Sequence, residues 1–190
     1  METKNIMIGG VGGQGTLLAS RILGNVLLSQ GYDVKVSEVH GMSQRGGSVV
    51  TYIKIGEKEY SPVFEKGQAD IIVSFEALEA ARWVSFLKKG GKLVMNTQEI
   101  EPMPVITGAA QYPANIVDTL KSLGEDVIAV DALSLAEQAG TSRAVNVVLM
   151  GVISHILDFG DKVWNDALEQ CVPAKVLEVN KKAFGLGRNA

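Results

Sequence analysis

Two glycine-rich segments carry the residues of this chain whose types and spacing could do chemistry. The first, Gly10-Val11-Gly12-Gly13-Gln14-Gly15, matches the G-x-G-x-x-G pattern. Glycines at such positions adopt positive φ and let backbone N–H groups approach a phosphate, and the N-terminus of a following helix favours the anion. Gln14, a polar residue among glycines, suits a loop shaped for one specific contact. The second segment, Val39-His40-Gly41-Met42-Ser43-Gln44-Arg45-Gly46-Gly47-Ser48, is the most distinctive stretch of the chain. Arg45 can present a forked cation to phosphate or carboxylate. His40 is the one candidate proton carrier near neutral pH. The binding candidates are thus Gly10, Gly12, Gly13, Gln14, Gly15 and Thr16 from the first segment and Ser43, Gln44, Arg45, Gly46 and Gly47 from the second. No residue is assigned to a metal. The plainer readings are a tight strand-to-helix turn, a turn with a solvated arginine and a structural histidine at a strand end.

For these residues to act together, both segments must lie at one end of a sheet. Lys4 to Gly9 reads as a buried strand. Leu17, Leu18, Ile22, Val26 and Leu27 then recur at helical spacing up to Gly31, behind a cap at Thr16. Asp33 to Val39 is the next strand and completes a βαβ unit. In an open α/β sheet the loops after both strands lie outside the strands' carboxyl ends, so the second segment is expected to face the glycine loop across one crevice. That crevice receives Gln14, His40, Gln44 and Arg45. Glu38 stands about where a ribose-binding acid would; pairing with Arg45 and capping a turn are its other readings.

Further along, Ser48 to Ile55 alternates as a strand does, and Gly56 to Glu59 reads as a hairpin turn into Tyr60 to Phe64. Ala69 to Phe75 is an apolar strand, Glu76 to Lys88 an amphipathic helix, and Gly91 to Asn96 another strand. The helix dipole accounts for Glu76 and Glu79 in a first turn, with the crevice as a second place for Glu76. After a loop marked by Pro102, Pro104 and Pro113 come a helix over 116–123 and a last strand over 126–130. The remainder reads as helical, over 142–159, 162–171 and, beyond Pro173, 174–184, with His155 as a core or interface residue. The expected fold is α/β, a Rossmann-like three-layer sandwich with a mostly parallel sheet, an antiparallel hairpin insertion and a helical C-terminus. Residues 1–190 are read as one domain.

Composition narrows the function. Hydrophobic residues make up 46% and charged residues 21%, and the net charge of -3 with no long basic run argues against nucleic acid. No apolar run reaches the roughly 18 residues of a membrane span, and no basic leader precedes the first strand, so a cytoplasmic location is expected. The single cysteine, Cys171, cannot build a four-thiolate iron–sulfur cluster. Any electron transfer then needs metal on another chain. A mean hydropathy of +0.16 and the apolar stretch Val145 to Leu157 suggest surplus apolar surface for a permanent partner.

The glycine loop, the segment Ser37 to Ser48, the run Phe75-Glu76-Ala77-Leu78-Glu79-Ala80-Ala81-Arg82 and the tail Glu178-Val179-Asn180-Lys181-Lys182-Ala183-Phe184 together resemble the gamma component of 2-oxoacid:ferredoxin oxidoreductases. His40 to Ser48 is most similar to the small (beta) subunit of the indolepyruvate branch. The resemblance implies oxidative decarboxylation of a 2-oxoacid, indolepyruvate or another arylpyruvate, to an acyl-CoA. It places thiamine diphosphate, Mg and 4Fe-4S clusters in a larger catalytic subunit that passes electrons to ferredoxin. It gives this chain no tightly bound cofactor and the coenzyme A side of the site, with Gln14, Gln44 and Arg45 as contacts. Two other classes stay open: a stand-alone NAD or FAD Rossmann-type oxidoreductase, and a non-catalytic binding protein.

Overall fold

A computed structural model describes residues 2–41, 43, 45–124 and 126–190 of the chain. The elements run β1 (Lys4–Val11), α1 (Thr16–Ser29), β2 (Asp33–His40), β3 (Ser48–Gly56), β4 (Ala69–Ser74), α2 (Ala77–Trp83), β5 (Leu87–Asn96), α3 (Met103–Ile106), α4 (Ile116–Ser122), β6 (Asp126–Val130), α5 (Ala132–Ala139), α6 (Val145–Leu157), α7 (Asp161–Cys171) and α8 (Leu177–Arg188). The strands form one sheet in the order β2-β3-β1-β4-β5-β6. β1, β4, β5 and β6 are parallel neighbours, and β3 is antiparallel to both β1 and β2.

Alternation along the strands builds three layers. Ile6, Ile8, Ile53, Ile71, Val73 and Val94 point to one face, under α1, α5, α6, α7 and α8. Met7, Val50, Ile72, Leu93 and Met95 point to the other, under α2 and α4. α6 is buried from Val145 to Ser154 because α8 crosses it at backbone contact. A Cβ placed on Gly151 would lie 2.2 Å from the Phe184 carbonyl oxygen, and one on Gly187 2.0 Å from that of Val148. The surplus apolar surface expected of Val145 to Leu157 is therefore covered within the chain. His155 lies near its end, exposed, with Nε2 against the Arg188 carbonyl.

The expected βαβ unit is split. β2 runs parallel to β1 without pairing to it, because β3 folds back between them. The reason is burial: β3 is apolar enough for the interior, whereas β2 carries Lys35 and Glu38 and stays at the edge, where charge discourages further pairing. The hairpin partner of β3 is thus β2, and the expected strand over 60–64 is irregular. Pro62 donates no N–H, and the place beside β3 is already filled. The expected helix from Glu76 to Lys88 is shorter: α2 ends at Trp83, a 3-10 turn spans Val84–Phe86, and β5 begins at Leu87.

Candidate functional site

The glycine loop turns at the carboxyl end of β1. Gly13 and Gly15 stand at φ 108° and 83°, conformations that side chains rarely adopt. Gly15 is the N-cap of α1; Thr16, expected to cap it, is its buried first residue, with no side-chain cap bond made there. The Thr16 methyl instead lies where a Cβ on Gly10 would sit at 2.9 Å. The N–H groups of Gly13, Gly15, Thr16 and Leu17 meet no acceptor among the described residues, which leaves a fan of donors at the start of a 14-residue helix.

Gln14 holds this shape. Its Oε1 accepts from the Val11 N–H at 2.8 Å, and its Nε2 donates to the Phe75 carbonyl at 2.9 Å. The Phe75 N–H donates to the Gly9 carbonyl at 2.9 Å, so the ends of β1 and β4 are stitched together at the switch point of the sheet. At the end of β5, Asn96 donates to the same Phe75 carbonyl at 3.0 Å and accepts from the Ala132 N–H at 3.1 Å. Asn146, at the start of α6, donates to the Gly15 carbonyl at 3.2 Å and fixes α6 against α1.

The second segment is a hairpin loop zipped alongside the glycine loop, and His40 at its start shares a cleft with that loop. The β1–β3 ladder continues past Val11↔Ser48 into it: the Gly12 N–H donates to the Gly47 carbonyl at 2.8 Å and the Gly46 N–H to the Gly12 carbonyl at 3.1 Å. Gly46 has a φ of 75°. The Ser43 hydroxyl donates to the Arg45 carbonyl at 2.7 Å, and Arg45 is exposed. Gln44 lies outside the described residues. Arg45 and Glu38 form no ion pair with each other.

Two clefts flank the glycine loop. One, of about 490 Å³, is lined by Gly12, Gly13, Gly15 and Thr16 together with Glu38 and His40 of β2. The other, of about 480 Å³, is lined by Gly13, Gln14 and Gly15 together with Gln98, Ile100, Leu133, Ser142 and Arg143. Glu38 and His40 are thereby brought to the loop on one side, and an arginine, Arg143, on the other. Sequence reading missed Gln98, Ser142 and Arg143. Arg143 had left a signal, because a cation at the start of an apolar helix opposes the helix dipole.

The two glutamates of the Phe75 to Arg82 run lie inside the protein. Glu76 is 1% exposed and caps α2: its Oε2 accepts from the Glu79 N–H at 2.8 Å, and its Oε1 accepts from the Ile100 N–H at 3.0 Å and from the Tyr112 hydroxyl. Burial, reinforced by Glu76, raises the Tyr112 phenol well above its ordinary range. Glu79 accepts from the Ser48 hydroxyl, from Arg82 Nε at 2.9 Å and from Trp83 Nε1 at 3.1 Å, tying the second segment to α2. No three His, Cys, Asp or Glu among the described residues are grouped so as to hold a metal ion. Burial raises the pKa of Cys171. No helix among the described residues is long and apolar enough to cross a membrane.

Comparison with known proteins gives the family and the fold. Residues 5–190 match the family model described as pyruvate ferredoxin/flavodoxin oxidoreductase. The chain is 43% identical over 197 residues to the indolepyruvate oxidoreductase subunit IorB of Thermococcus kodakarensis, covering 100% of this chain and 96% of that one. The fold is that of the pyruvate oxidoreductase subunit PORC of Thermotoga maritima, with a TM-score of 0.75 at 20% identity over 100% of this chain and 97% of that one. It is also that of part of the 2-oxoglutarate:ferredoxin oxidoreductase of Magnetococcus marinus, solved with 2-oxoglutarate, coenzyme A and succinyl-CoA bound; there the TM-score is 0.76 at 16% identity, over 100% of this chain and 31% of that one. By the match over residues 5–190 and the 43% identity along its whole length, the chain belongs to the pyruvate ferredoxin/flavodoxin oxidoreductase family.

Proposed function

We propose that this chain, as one unit over residues 1–190, is the small subunit of a cytoplasmic indolepyruvate:ferredoxin oxidoreductase and supplies the coenzyme A side of its active site. The observation that carries the reading is the fan of N–H groups of Gly13, Gly15, Thr16 and Leu17 at the start of α1, with a cleft on each side, one of them lined by Arg143. Such an array of backbone donors, a helix terminus and the Arg143 guanidinium suits the phosphates of coenzyme A. The family relationship and the identity to IorB support the assignment of the reaction.

The oxidative chemistry belongs to a larger subunit. When bound there, thiamine diphosphate supplies the carbanion-stabilising centre for decarboxylation, and iron–sulfur clusters supply the electron path to ferredoxin. This chain does not fit such a cluster, since Cys171 is its one thiol and is partly buried beside Asn25. Its own residues bind and orient coenzyme A: the glycine loop holds a phosphate, Gln14 keeps the loop in shape, and an arginine neutralises charge. A nicotinamide site, the competing reading, would use Glu38 on a ribose; the edge position of β2 and the exposure of Glu38 supply no enclosed ribose pocket.

The test is reconstitution. The chain alone is expected to show no oxoacid oxidation, and co-expression with its larger subunit is expected to yield indolepyruvate-dependent, coenzyme-A-dependent ferredoxin reduction. Oxidation of a substrate by the isolated chain with NAD or FAD would overturn the reading.

A further inference from the structure

The segment from Thr97 to Asn115, which joins β5 to α4, leaves the sheet beside the glycine loop and is exposed over most of its length. At its tip α3 presents Met103 at 66% and Ile106 at 61% exposure, one helical turn apart on one face. They are among the most exposed large apolar side chains of the described residues. The segment is also firmly built. The Ile106 N–H donates to the Pro102 carbonyl at 3.1 Å, the Thr107 N–H to that of Met103 at 2.9 Å and the Ala110 N–H to that of Pro104 at 3.0 Å. Both roots are anchored in the protein, through the Ala77 N–H on the Gln98 carbonyl and through the buried Glu76 carboxylate on Ile100 and Tyr112. Its charge has one sign: from residue 93 to residue 120 the chain contains Glu99, Glu101 and Asp118 and no Lys, Arg or His.

Resting on the reading under Proposed function, we propose that this arm is the surface that docks the chain onto its larger catalytic subunit, with Met103 and Ile106 entering an apolar seat rimmed by lysine or arginine. The position of the arm selects this occupant. Gln98 and Ile100 at its base are also a wall of the cleft beside Arg143, so a partner seated on the arm closes that cleft. A chain without redox centres of its own must present its cleft to the subunit that has them. A pre-ordered apolar tip loses little conformational freedom on association, and an acidic surround steers it toward a basic seat. Another exposed apolar pair, Leu28 and Val36 along α1 and the edge strand, lines a different surface cleft and provides the comparison.

The experiment is co-expression of the full chain with the larger subunit, followed by size-exclusion chromatography and affinity measurement at two salt concentrations. Met103→Asp with Ile106→Asp is expected to weaken association by about a hundredfold or more, as loss of a central apolar anchor does. The isolated variant should melt at the wild-type temperature, because both side chains already face water. Glu99→Lys with Glu101→Lys is expected to weaken association and to reverse its salt dependence. Leu28→Asp with Val36→Asp is expected to assemble as wild type does. Wild-type affinity in the Met103/Ile106 variant, or loss of assembly only in the Leu28/Val36 variant, overturns the proposal. Failure of the wild-type chain itself to associate overturns the subunit reading, and the docking proposal with it.

Discussion

Gln14 sits in the middle of the glycine motif, yet its amide is occupied by the Val11 N–H and the Phe75 carbonyl. Gln14→Ala should therefore loosen the loop: a cost of about 1–3 kcal/mol in stability is expected from two stranded groups, checked by denaturant unfolding. Glu76 is the more consequential side chain. Glu76→Ala strands the Glu79 and Ile100 N–H groups and the Tyr112 hydroxyl together, and a loss of about 3 kcal/mol or more is expected, while Tyr112→Phe removes one partner and should cost about 1–2 kcal/mol. Because the Tyr112 pKa is raised, this contact stabilises the fold throughout the neutral range and is lost only as pH climbs past the ordinary phenol range toward the folded value. At this scale the sequence marked Gln14 and Glu76 but not the groups that they hold. Gln14 was legible as a residue making a specific contact, but the acceptor lies 61 residues away and no local pattern points to it. Glu76 was legible as a helix-start acid; its burial depends on Tyr112, in a proline-marked loop with no period to read.

The elements divide in the same way. Strong local patterns were readable: the alternation of β3, the apolar β4 and the helical spacing of α1 all lie where the residues put them. Pairing was not, since whether β2 or β3 lies beside β1 depends on which strand the helical layers cover, a comparison of burial across the whole sheet. For the same reason α6 reads as surplus apolar surface until α8 is seen to lie on it. Gly151→Ala tests that crossing: with the Phe184 carbonyl 2.2 Å from the new methyl, the helices must separate, and a destabilisation of about 3 kcal/mol is expected in thermal unfolding. At the N-terminus of α5, Asp131 accepts from the Ser134 N–H at 3.0 Å and hydroxyl at 2.7 Å, and these bonds hold its pKa below the ordinary carboxylate value. A lowered folded pKa gives stability that is present above the unfolded value of 3.8 and lost as pH falls through the folded one. Asp131→Ala should accordingly cost about 1 kcal/mol at neutral pH, with the difference from wild type closing below that range in acid titration.

For the whole molecule, the sheet delivers one working end. The carboxyl edges of β1, β4 and β5 bring together the glycine loop, the Gln14 stitch and the arm from Thr97 to Asn115, while β2 and β3 add the second loop alongside. The purified chain should be colourless and free of iron and thiamine, and cluster absorption by the isolated chain would contradict the proposal that its partner carries the cofactors. The most direct test of the central claim separates the two halves of the reaction on the intact complex carrying Arg45→Ala or Arg143→Ala. Loss of a charge-assisted phosphate contact is worth roughly 1.5–3 kcal/mol, so the apparent affinity for coenzyme A should fall about ten- to a hundredfold in at least one of the two. Lysine at that position should restore only part of it, lacking the guanidinium fork. Carbon dioxide release in a single turnover without coenzyme A should stay near the wild-type rate, because that step precedes the need for coenzyme A. An unchanged coenzyme A dependence in both fully assembled variants would contradict the account.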